Sequence, residues 1–178
     1  SVYNFIQQTQ EYLLAFQFED WMIHHYMREG YIIFRHVIPD TLLSDLRREG
    51  DKARDLAHQL NGPQTQRIQP LERYGDQINL APFKAYVELD DIHRAVTALL
   101  GNGYTPANID IMGLLVEPQN SPWHCGWHRD GVVEVPLEAR DDAFKAHLEK
   151  LWYDLRFYNQ VNCALYADSS TWYVPGSH

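Results

Sequence analysis

The residues best suited to chemistry are His128 and Asp130, which flank Arg129. In an extended strand, residues two apart point to the same face, so this imidazole and carboxylate could converge on one ion. A neutral His with a carboxylate is two-thirds of the facial triad that holds non-haem iron(II); a second His must come from elsewhere. Three protein ligands leave three octahedral positions, two for a bidentate 2-oxo acid and one for O₂. Spacing alone is weak evidence, because this composition yields a His-x-Asp about 0.7 times by chance. His147 and Glu149 make a similar pair, but the helical period around them splays the side chains apart, so they read as solvated surface. A rival zinc reading uses His124, Cys125 and His128, which would need a helix that Pro122 and Gly126 disfavour. Cys125 as a nucleophile lacks an identifiable base.

The elements that must position these groups can be traced along the chain. Phe18, Trp21, Met22 and His25 recur at helical spacing, with Gly30 as a stop. YIIFRHVI (31–38) reads as a buried strand, ended by Pro39. Asp40 can cap a helix whose inner face is Leu42, Leu43, Leu46, Ala53 and Leu56. Residues 59–82 read as a long polar loop. A further helix runs from Asp90 through Ile92, Val96 and Leu99 to Gly101. IDIMGLLVEP is a strand candidate, and the SPWHCGWHRDG segment after it is non-helical. EARDDAFKAHLEKLWYDL is amphipathic, and VNCALYA and TWYVP read as two short strands around the turn DSS. Helices first and strands later suggest an α+β chain with a mainly antiparallel sheet.

At 178 residues the chain suits one domain. A net charge of −9, from 24 acidic and 15 basic residues, disfavours nucleic acid, whose phosphates need clustered Lys and Arg. Cys125 and Cys163 make no disulfide framework and point to a reducing compartment. No stretch reads as a membrane span or a signal peptide. The expectation is a soluble cytoplasmic protein with a small-molecule substrate, no nucleic-acid or membrane partner, and an oligomeric state that the sequence does not set. The chain begins with Ser rather than Met, so a preceding segment is expected to have been removed.

Three segments carry a family resemblance. QNSPWHCGWHRDG resembles the metal-binding segment of the phytanoyl-CoA dioxygenase (PhyH-like) family, where W-H-x-D is frequent. VNCALYADSSTWYVPGSH resembles that family's strand, acidic turn, strand and V-P-G-S-H. FEDWMIHHYMREGYIIFRHVIPDTLLSDLRREGD resembles its opening helix, G-Y strand and following helix. The resemblance implies a mainly β fold, a double-stranded β-helix (jelly-roll, cupin-like) with N-terminal helices outside. Residues 1–105 would be the helical front and 106–178 the jelly-roll strands of a single domain.

It also implies an iron(II)- and 2-oxoglutarate-dependent oxygenase that consumes O₂, hydroxylates a small organic substrate and releases succinate and CO₂. His128 and Asp130 map onto the first two metal ligands, Asn162 falls where the family often places a polar contact to 2-oxoglutarate, and Met112 falls near another such position. Asp130 disfavours a halogenase. The third His ligand and the 2-oxoglutarate Arg belong after P-G-S-H, where this chain stops, so a fragment of a longer enzyme is expected. The alternative is a degenerate relative kept for binding or interaction.

Overall fold

A computed structural model describes residues 16–105, 108–128, 141–153 and 159–177. Helix α1, Asp20–Glu29, buries Met22 and Tyr26 and ends where Gly30 takes a left-handed φ of 79°. That conformation strains any residue with a Cβ, which is why Gly stops this helix. Helix α2 spans Asp40–Asn61 and buries Leu46, Glu49, Gly50, Ala53 and Ala57, a single stripe at the 3.6-residue period. Pro39, not Asp40, is its cap residue; Asp40 sits in the first turn, where its charge favours the positive helix end.

The expected 59–82 loop is in fact part of the core. Ile68, Leu71 and Ile78 are buried there. Strand β1, Arg67–Ile68, pairs antiparallel with β2, Leu114–Leu115, in the register Arg67↔Leu115 and Ile68↔Leu114. Backbone bonds extend this contact on both sides: Gln119 N–H to the Pro63 carbonyl, Val116 N–H to Gln66, and Leu71 N–H to Met112. A 3₁₀ turn, Leu71–Tyr74, follows β1. Helix α3, Ala81–Val87, carries Pro82 in its first turn, where a missing N–H costs nothing. Helix α4, Asp90–Leu100, buries Ile92, Ala95, Val96 and Leu100. A second 3₁₀ turn, Ile109–Ile111, replaces the first three residues of the expected IDIMGLLVEP strand. Helix α5, Asp142–Tyr153, lies within the expected amphipathic segment and buries Leu148.

Two apolar clusters hold these elements. One joins Leu46, Ala53 and Ala57 of α2 to Ile68, Leu71, Ile78, Phe83, Ile109 and Val116. The other packs Tyr26 of α1 on Ile92, Val96 and Leu100 of α4, and Tyr86 contacts both clusters. Among the described residues no helix is long and apolar enough to cross a membrane.

The double-stranded β-helix is not what this chain forms. Among the described residues the fold is mostly helical, and the sheet has two strands of two residues. YIIFRHVI forms no strand. His36 takes a positive φ of 58° inside that run, which breaks the two-residue alternation a strand needs. Its apolar side chains are used differently: Ile32 and Val37 pack on the α1–α4 cluster and Ile38 on the α2 cluster. VNCALYA and TWYVP are likewise unladdered and lie across the helices as one strap, residues 159–177.

Candidate functional site

The expected metal segment lies beside β1. Residues 121–128 form neither helix nor strand. Gln66 and Gln64 hold them: His124 N–H donates to Gln66 Oε1 at 2.6 Å, Trp123 Nε1 donates to the Gln66 carbonyl at 3.4 Å, and Ser121 Oγ donates to Gln64 Oε1 at 2.9 Å. Without a helix, His124 and His128 cannot share a helical zinc-binding face.

His128 is exposed, and its Nδ1 lies 2.7 Å from the Gly126 carbonyl and 3.6 Å from Cys125 Sγ. A carbonyl can only accept, so Nδ1 must carry the proton in this arrangement. A protonated Nδ1 cannot take a proton from the thiol, so Cys125 and His128 are not wired as a nucleophile and base. The same bond puts the lone pair of a neutral ring on Nε2. Asp130 lies outside the described residues.

Met112 is half-buried against the α2 cluster. Its carbonyl receives the Leu71 N–H at 2.9 Å, a structural use of that position. Asn162 is exposed on the strap, and its Oδ1 accepts from Gln160 Nε2 at 3.3 Å. His147 and Glu149 are both exposed on α5, as expected of solvated helix surface.

Among the described residues, no three His, Cys, Asp or Glu side chains come together so as to hold a metal ion. The described residues therefore assemble no iron(II) facial triad, and the barrel that would build one is not among the described elements. The expected iron- and 2-oxoglutarate-dependent oxygenase is corrected accordingly.

A different feature is built with care. Along the strap, Cys163 and Leu165 are partly buried while Asn162, Ala164 and Tyr166 are exposed. This alternation of burial resembles that of a half-buried β-strand, but the backbone forms no ladder and bends at Leu165 and Tyr166. Burial raises the Cys163 thiol pKa to about 11. The Arg47 Nε of α2 donates to the Leu165 carbonyl at 2.6 Å, and the Tyr166 hydroxyl donates to Asp51 Oδ2 at 2.9 Å. Asn159 accepts from the Tyr26 hydroxyl, Tyr173 packs on Tyr31 with ring centroids 4.0 Å apart, and Gly176 N–H donates to the Glu29 carbonyl at 2.9 Å.

Leu165 points its carbonyl at α2, and the backbone bends at Leu165 and Tyr166. Among the described residues, no backbone N–H of 161–166 bonds another backbone group. Val161, Tyr166, Trp172, Tyr173 and Val174 are exposed large apolar residues on the same strap. VNCALYA, expected as a short strand, forms none, and Arg47, Gly50 and Asp51, which seat it, were not expected from the sequence. A glycine inside a helical pattern was the available signal.

Comparison with known proteins gives no matching family model, no matching curated protein and no matching solved structure. With no family match and a helical fold, the resemblance to the phytanoyl-CoA dioxygenases is overturned, and the degenerate-relative alternative goes with it.

Proposed function

We propose that this chain is a helical binding module that docks an extended polypeptide strand along residues 161–166. The observation carrying this reading is the alternation of burial over residues 162–166, whose backbone N–H groups make no backbone bond among the described residues. Backbone left unpaired in this way is an association hazard unless it is covered. Strand addition to an edge takes affinity from main-chain bonds and selectivity from alternate side chains. The strap carries no charged residue from 157 to 167 in a chain of net charge −9. A neutral or basic polypeptide suits that segment, and an anionic nucleic acid does not.

The test is selection from a random-peptide display library on the parent and on Ala164→Pro. Ala164 is exposed and its N–H makes no backbone bond among the described residues, so proline removes one docking donor without displacing an inward side chain. Peptides should be enriched on the parent and lost on the variant, with circular dichroism unchanged. No enrichment on the parent, or equal retention by the variant, refutes the reading.

We also propose His128 and Asp130 as a two-residue site for a divalent cation. The Nδ1 bond to the Gly126 carbonyl supports it, because metal-binding histidines commonly have their second nitrogen held in this way. Nickel titration calorimetry of the parent and His128→Ala tests it, and equal binding by both removes His128 from the site. The free thiols of Cys125 and Cys163 support a cytoplasmic setting as part of the same proposal.

A further inference from the structure

Arg47, Gly50 and Asp51 are spaced i, i+3 and i+4 on α2 and so share one face. Each meets a different part of the Leu165–Tyr166 pair. A Cβ added at Gly50 would lie 3.0 Å from Leu165 Cδ1, so the absent side chain makes the seat for the leucine. Arg47 takes the Leu165 carbonyl at 2.6 Å through Nε, and its guanidinium lies 5.2 Å from the centre of the Tyr166 ring. Asp51 accepts the Tyr166 hydroxyl at 2.9 Å. Backbone, apolar side chain, ring and hydroxyl are all read. None of these contacts requires the Leu-Tyr pair to be covalently joined to the chain that reads it.

We propose that the Arg47–Gly50–Asp51 face is a recognition site for a Leu-Tyr peptide, occupied in cis by the chain's own Leu165–Tyr166. The contact is autoinhibitory: peptides in trans are excluded until the strap leaves. A tethered segment acts at an effective concentration on the order of millimolar, which suppresses trans binding without any change in the site. This inference stands apart from strand docking, since it uses side chains of α2 rather than the unpaired backbone of the strap.

The probe is a fluorescent peptide of residues 161–168 with Cys163→Ser, read by polarisation. A Leu165→Ala, Tyr166→Ala double variant vacates the face and should bind this peptide about tenfold or more tightly than the parent. Adding Gly50→Val fills the leucine seat and should remove the binding. A folded double variant that binds no better than the parent, or binding that survives Gly50→Val, overturns the proposal. If circular dichroism shows that the double variant does not fold, the parent supplies the test through Cys163, in a Cys125→Ser background. Millimolar peptide should displace the strap and accelerate thiol labelling of the partly buried Cys163, and an unchanged labelling rate overturns the proposal.

Discussion

Glu49 is 2% exposed on the buried face of α2, and replacing it should destabilise the fold in an order that its partners set. Its carboxylate accepts from Lys52 Nζ at 2.9 and 3.1 Å, from Arg48 Nε at 3.2 Å and from the Asn79 N–H at 3.0 Å. The last bond ties the 75–80 segment to α2. Glu49→Gln keeps the volume but has one acceptor oxygen for partners on two sides, and its amide then faces another donor. A hydrogen bond to a charged group contributes about 1.5–3 kcal/mol, so a loss in that range is expected. For a chain of this size that lowers Tm by about 3–10 °C. Glu49→Ala should cost more, because it leaves the Asn79 N–H unbonded and opens a void. Lys52→Ala should cost about 0–1 kcal/mol, since Lys52 is 53% exposed and solvent screens the pair. Urea unfolding of the three variants checks the ranking. If Glu49→Gln unfolds at the parent midpoint, or Lys52→Ala costs more than Glu49→Ala, the reasoning is refuted.

Burial alone raises the Glu49 pKa, but Lys52, the Asn79 N–H and Arg48 outweigh it and hold the carboxyl below its ordinary value. Its contribution should therefore be full above the ordinary glutamate range, near pH ~4.3, and should be lost as pH falls from there through the folded-state value; Glu49→Gln should flatten that part of the stability curve, measured by urea unfolding against pH. Gly50→Ala should gain up to about 1 kcal/mol of helix propensity while pushing Leu165 outward. Melting at or above the parent temperature together with faster Cys163 labelling is expected, and slower labelling would contradict the Leu165 contact. Met112→Ala should cost roughly 1–2 kcal/mol, below the range for a fully buried Met, because the side chain is half-buried and its backbone bonds persist; unchanged urea stability would argue against its packing role.

Local pattern determined α1, α2 and α4, whereas α3 was not expected from it. The apolar stripe of Leu46 and Ala53, the stop at Gly30 and the run from Ile92 to Gly101 all encode elements whose hydrogen bonds close within a few residues. Boundaries slipped by a residue at Asp40, where Pro39 is the cap. Strand-like composition in YIIFRHVI and VNCALYA was legible too, yet composition cannot supply the partner that a ladder requires. His36 broke the first run, and the second became a strap seated on side chains of α2. The metal pair was a statement about two residues at spacing two, and spacing cannot gather a third ligand. Residues 59–82 failed in the opposite sense: polar and turn-rich in sequence, they bury Ile68, Leu71 and Ile78 because β2, 46 residues or more further along the chain, returns to pair with β1. The sequence by itself determined what each segment could do with its near neighbours. Only tertiary structure decided which distant segments met, because those contacts depend on where the chain returns and not on the period of any one stretch.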